Sequence, residues 1–163
     1  MEPPKKKARF KKYRGVKAVS PFHFNLFTKP QFNSSKHSNP LADKGSLEYP
    51  ISPDQMNWAS YYPNLPEGRT VDFADVGCGF GGLLVSLGET FPDSISVGLE
   101  LRTKVVTFVE ERIEKLRSKN PGKYNNVAVL RANAMKYIPN YFNKGQVRFF
   151  FDVHKLELKE PLS

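Results

Sequence analysis

Asp75-Val76-Gly77-Cys78-Gly79-Phe80-Gly81-Gly82 is the stretch whose reading decides the fold. It continues Val71-Asp72-Phe73-Ala74, an apolar run suited to a strand, and it leads into Leu83, Leu84 and Leu87, which are spaced to cover one face of a helix over residues 82–90. A strand that enters a glycine-rich turn and leaves it as a helix is the opening unit of a doubly wound α/β sheet. At Gly77 and Gly79 a side chain would occupy the space of a ligand, so the turn reads as a nucleotide-type pocket.

The pattern outside this unit repeats it. Pro92-Asp93 marks a turn before a second short strand, residues 95–99. Val106, Val109, Ile113 and Leu116 recur at three- and four-residue steps, predicting a helix over 103–118 with Glu111 and Lys115 paired on its wet side. Asn120-Pro121-Gly122 should stop that helix. Residues 127–130 and 147–151 read as the third and fourth strands. Strands alternating with helices imply parallel βαβ units with right-handed crossovers. The expected fold class is therefore α/β: a Rossmann-like fold of about four parallel strands with flanking helices.

Because Gly77, Gly79 and Gly82 also satisfy G-x-G-x-x-G, the turn alone fits a nicotinamide dinucleotide as well as S-adenosyl-L-methionine. Asp75 separates the two. Its negative charge at the end of the first strand would repel a pyrophosphate and suits a ligand carrying an ammonium and a sulfonium. Glu100, at the end of the second strand, can accept both hydrogen bonds of a ribose diol, which fits either cofactor. Asn133 follows the third strand and arrives where an adenine edge would lie, although asparagine also favours turns and helix caps. Cys78 reads as a small residue in the turn, with no base placed to activate it.

The first ~70 residues carry little periodic apolar pattern, leaving ~90 for a core. Four segments are expected: a basic, largely disordered tail over 1–46, an aromatic and proline-rich strap over 47–70, a cofactor-binding α/β segment over 71–151, and a tail over 152–163. In the strap, Trp58 is expected to pack in the core and Asp54 to cap a short helix. The 25 Lys and Arg against 16 Asp and Glu give a net charge of +9, and the pI is about 9.6. That balance points to a polyanion such as nucleic acid. Eight of those cations fall within the first 17 positions, so a solvated tail explains part of the excess. Pro3-Pro4-Lys5-Lys6-Lys7-Ala8-Arg9 suits a nuclear-import signal, and equally a tail that clings to RNA. The single cysteine excludes an internal disulfide, argues for a reducing compartment, and makes a zinc site an unpromising reading. No apolar run approaches the ~20 residues that span a bilayer, and no secretory signal follows the basic start; a soluble, unsecreted protein with no membrane partner is expected.

On these residues the chain resembles the eukaryotic tRNA (guanine-N7-)-methyltransferase catalytic subunit. His37-Ser38-Asn39-Pro40-Leu41-Ala42-Asp43, Met56-Asn57-Trp58 and Tyr61-Tyr62-Pro63 look like that family's N-terminal signature. Phe73-Ala74 with the glycine-rich turn, Gly98-Leu99-Glu100-Leu101-Arg102 and Asn133-Ala134-Met135 look like its cofactor-binding blocks, and Tyr141-Phe142-Asn143-Lys144-Gly145-Gln146 fits the approach to its fourth strand. The likeness covers residues 35–150 and implies the N-terminal part only of a Rossmann-like S-adenosylmethionine-dependent methyltransferase fold, with 71–151 as the cofactor-binding half of the methyltransferase domain and 152–163 as a divergent C-terminal tail. It implies S-adenosyl-L-methionine contacts from Gly77, Glu100, Leu101, Arg102, Asn133 and Ala134, with Asp75 and Gly79 supporting. It also implies methyl transfer to N7 of a guanine in the variable loop of tRNA, and a noncatalytic WD-repeat β-propeller partner.

The family places a Phe-Pro-Asp-Pro-His block after its fourth strand, whose aspartate orients the guanine. Here the chain reads Phe149-Phe150-Phe151-Asp152-Val153-His154-Lys155 instead. Asp152 and His154 share the block's composition without its prolines or register, so no catalytic residue is assigned. The expectation is a shortened product, with the fourth strand as an unprotected, aggregation-prone edge. Two functions stay open: the methyltransferase itself, or a noncatalytic tRNA- or partner-binding module derived from it.

Overall fold

A computed structural model describes residues 47–152 and 155–159. The segment 1–46, with its basic cluster at 3–9 and the signature at 37–43, lies outside the described residues, as does His154. The chain forms β1 (Phe73–Val76), α1 (Gly82–Thr90), β2 (Ser96–Glu100), α2 (Thr103–Lys119), β3 (Val127–Arg131), α3 (Ala134–Tyr141), β4 (Phe149–Asp152) and β5 (Lys155–Lys159). The strands make one sheet in the order β3-β2-β1-β4-β5. The first four are parallel, with Asp75 opposite Gly98, Gly98 opposite Val129, and Val76 opposite Asp152.

Strand alternation sorts the side chains onto two faces. Ala74, Val97, Leu99, Ala128 and Leu130 fall on one, where Trp58, Tyr62, Tyr141 and Phe142 join them in a buried cluster. Val127 and Val129 fall on the other, against Leu84 of α1 and Val106, Val109 and Ile113 of α2. β2 is buried along its whole length, as a strand covered on both faces should be. The strap is tied down at several points: the Trp58 ring stacks on Phe142 with centroids 5.5 Å apart, the Tyr62 hydroxyl donates to Ser96 O, and Asn140 Nδ2 donates to Pro50 O.

Four details differ from the sequence reading. Pairing begins at Phe73, not Val71, because the Asp72 and Phe73 amides both turn to Ile95 O. Asp54 sits inside a 3-10 turn, Pro53–Gln55, and is not its cap; Ser52 holds that position without a side-chain bond. Residues 134–141 form a helix despite Pro139, because Tyr137, Ile138 and Tyr141 gain burial against the sheet cluster. The segment 152–163 is not simply a tail: Lys155-Leu156-Glu157-Leu158-Lys159 alternates with period two and pairs antiparallel with β4. The expectation of an unprotected fourth strand is thus corrected. Both Phe149 and Phe150 are half-buried, on Phe73 and Phe142 respectively.

The strap is an integral part of the core. Trp58→Ala should therefore cost about 3–5 kcal/mol of stability, the usual range for emptying a buried aromatic site. Chemical denaturation measures it, and a loss below about 1 kcal/mol would contradict this packing role.

Candidate functional site

The C-terminal ends of β1, β2 and β3 lie side by side, and each continues into a segment that the sequence singled out. After β1 the chain folds back: the Gly77 and Cys78 amides both donate to Leu99 O at 2.8 and 3.1 Å, and the Gly81 amide closes the turn on Cys78 O. Gly77, Gly79 and Gly81 have φ of 68°, 53° and 73°, a left-handed backbone that explains three glycines in five positions. A Cβ at Gly79 would point into open space, with no atom nearer than 3.9 Å, so room for a ligand is left over the turn. After β2 come Leu101 and Arg102, both half-buried. After β3, the Ala132 amide donates to Glu100 O.

Asn133 and Ala134 open α3. Asn133 stands at the cap position, but its backbone carbonyl does the capping, accepting from the Lys136 and Tyr137 amides. Its side chain makes no cap bond and is 1% exposed. Asp75, Gly77, Gly79, Glu100, Leu101, Arg102, Asn133 and Ala134 are thus gathered along one edge of three adjacent strands, the usual ligand crevice of an open α/β sheet.

Asp75 is the most strained member electrostatically. It is 1% exposed, and neither carboxylate oxygen has a full hydrogen-bond partner among the described residues. Burial raises its pKa to about 7; the negative charge of Glu100 adds to the rise, and the Leu84 backbone amide draws it back only in part. Glu100 is the opposite case. Burial alone would push it up, but hydrogen bonds from Arg102 outweigh that and hold it below the ordinary carboxylate range. The Arg102 amide and Nε both donate to Oε1, at 2.9 and 3.1 Å, and Nη2 donates to Oε2 at 3.1 Å. This fork was invisible in the sequence. Of the about four lone-pair sites of a carboxylate, these three bonds leave one for a ribose hydroxyl. Burial drives the Cys78 thiol well above its ordinary range, which fits a packing role.

Two further residues shape the crevice and had no signal in the periodicity. A Cβ at Gly98 would lie 2.7 Å from Cys78 Sγ and 2.8 Å from Leu84 Cδ2, so the turn can fold over β2 only because that strand position is glycine. Arg112 of α2 donates from Nη1 to Phe80 O at 2.7 Å. A cavity of about 510 Å³ opens at the other end of the strands, beside Arg69, Asp93, Tyr124 and Asn126. Its polar groups serve the loops themselves: Asn126 Nδ2 donates to Gly88, Phe91 and Ser94 carbonyls, and Arg69 Nη2 to Asp72 and Asp93 O. Among the described residues there is no cluster of metal ligands and no helix long and apolar enough to cross a membrane.

Residues 69–153 match the model of a protein family described as "Putative methyltransferase". The chain belongs to this methyltransferase family. It is 50% identical over 129 residues to a tRNA (guanine-N(7)-)-methyltransferase of Anopheles gambiae, covering 79% of this chain and 54% of that protein. The enzyme of the same name from Caenorhabditis elegans is 50% identical over 125 residues, 76% of this chain and 48% of that one, and the one from Danio rerio 48% identical over 129 residues, 76% and 53%. This methyltransferase chain spans about half the length of the curated relatives it matches. Among solved structures it is similar to M. capricolum TrmK in complex with S-adenosyl-homocysteine, at 11% identity and a TM-score of 0.37, covering 50% of this chain and 44% of that one.

The elevated Asp75 pKa has a measurable consequence in the methyltransferase crevice. The folded state keeps a proton that the unfolded chain has already released, so stability declines as pH rises from the ordinary carboxylate range to about 7 and then levels off. Asp75→Asn does not titrate. Its thermal midpoint should exceed that of the parent by an amount that grows between about pH 4 and about pH 7. Parallel curves of midpoint against pH would contradict a buried, protonatable Asp75.

Proposed function

We propose that the protein transfers a methyl group from S-adenosyl-L-methionine to N7 of a guanine in the variable loop of tRNA. The observation that carries the cofactor is the buried Asp75 carboxylate beside the glycine turn, with no full hydrogen-bond partner among the described residues. Such a group is adverse to a pyrophosphate and is satisfied by a cationic ligand. The near-half identity to enzymes named for tRNA guanine-N7 methylation supports the choice of nucleobase.

The residues divide the work of holding the cofactor. Asp75 would face its positive end, and Gly77 and Gly79 would let it approach the backbone closely. Glu100, ionised and oriented by Arg102, would accept a ribose hydroxyl at its remaining lone pair, with Leu101 flanking. Asn133 offers both a donor and an acceptor to an adenine edge, and Ala134 adds a small apolar contact. When bound, S-adenosyl-L-methionine supplies an electrophilic methyl carbon on a sulfonium. Guanine N7 carries a lone pair and no proton, so the chain needs to align the base more than to remove a proton. No side chain here is assigned the catalytic, guanine-orienting role: Asp152 ends β4 in register with Val76, and His154 lies outside the described residues.

The net charge of +9 supports tRNA as the polyanionic partner. The resemblance supports a WD-repeat β-propeller subunit beside it, and the basic cluster at 3–9 supports a nuclear location. The decisive assay supplies the purified protein with methyl-labelled cofactor and unmodified tRNA. Label is expected as N7-methylguanine in the variable loop. Label on another base, or none from protein shown to bind the cofactor, would overturn the proposal.

A further inference from the structure

The glycine turn is anchored at one end by β2 and at the other by α2. Its first residues hang on Leu99 O. Its second half, Phe80-Gly81, is gripped by three side chains that lie together on one face of α2. The Phe108 ring meets the Phe80 ring edge-on, with centroids 5.4 Å apart and planes at 88°. Val109, fully buried, lies so close beneath Gly81 that a Cβ there would fall 2.9 Å from Val109 Cγ1. Arg112 Nη1 donates to Phe80 O at 2.7 Å, across 32 positions of sequence.

We propose that Arg112 is a positioning residue for the adenosyl cofactor, fixing the glycine turn in the one conformation that keeps the space over Gly79 open. The inference rests on the function proposed above. Its physical basis is the softness of the turn. Phe80 is flanked by Gly79 and by Gly81-Gly82, so the peptide that follows it meets little steric resistance to rotation. A guanidinium hydrogen bond to its carbonyl selects one orientation, and a charged donor makes that bond stronger than a neutral one would. Without it the turn samples several conformers, and the ligand binds only the competent fraction. Apparent affinity falls by that fraction.

Arg112→Met keeps the apolar stem and removes the donor; Arg112→Lys keeps a cationic donor. Calorimetric titration with S-adenosylhomocysteine should show the Met variant binding about tenfold more weakly than the parent and the Lys variant within about threefold of it. Amide hydrogen exchange without ligand should quicken over residues 79–82 in the Met variant while the strands stay protected. Two results would overturn the proposal: a Met variant that binds within about twofold of the parent, or exchange that quickens evenly across the sheet, which would mark a structural role only. If the parent itself fails to bind S-adenosylhomocysteine, the proposed function falls, and the exchange pattern still decides whether Arg112 braces the turn.

Discussion

The structure depends on one fold-back: the amides of Gly77 and Cys78 converging on the carbonyl of Leu99. That pair of bonds joins the end of β1 to the end of β2 and starts α1 directly over the sheet. It is sterically allowed only because Gly98 presents no side chain to Cys78 and Leu84. Once the turn is fixed, Leu84 meets Val106, Val109 and Ile113, and α2 closes the same face of the sheet. The opposite face is closed by chain from both sides of the sheet sequence, the strap before β1 and α3 after β3, through Trp58, Tyr62, Tyr141 and Phe142.

The same constraint sets the electrostatics of the crevice. Folding the turn over β2 buries Asp75 on a face whose nearest helix is packed with leucine and valine, so the carboxylate loses water and gains almost nothing in return. Glu100, one strand over, keeps its charge because Arg102 follows it closely enough to return a guanidinium fork. One carboxylate is therefore held ionised, and the other, raised to about 7, ionises fully only where positive charge meets it. This division favours a ligand that brings positive charge to Asp75 and a hydroxyl to Glu100.

Much of the fold was legible in the sequence because it is written in local patterns. The glycine turn, the stripe on α2 and the four parallel strands follow from periodicity and from breakers such as Asn120-Pro121-Gly122, and each stands within two residues of its expected place. Where the reading failed, tertiary contacts outweighed local signals. Residues 134–141 carry no element in the sequence reading, yet burial of Tyr141 holds α3 as a helix with Pro139 inside it. The tail expected over 152–163 holds a strand because the five-residue alternation at 155–159 pairs with β4, whatever the segment's departure from the family block. The crevice residues were legible as strand ends. The Glu100–Arg102 fork, the bare space Gly98 provides and the reach of Arg112 depend on side-chain placement across elements, which no spacing encodes.

The central claim is that this crevice selects an adenosyl amino-acid ligand, whose ammonium meets Asp75, over a dinucleotide although its glycine pattern fits both. Calorimetric titration of the protein with S-adenosylhomocysteine and, separately, with NAD tests this most directly. The account predicts saturable one-to-one binding of S-adenosylhomocysteine and no heat of binding with NAD. Binding of NAD with no response to S-adenosylhomocysteine would contradict it.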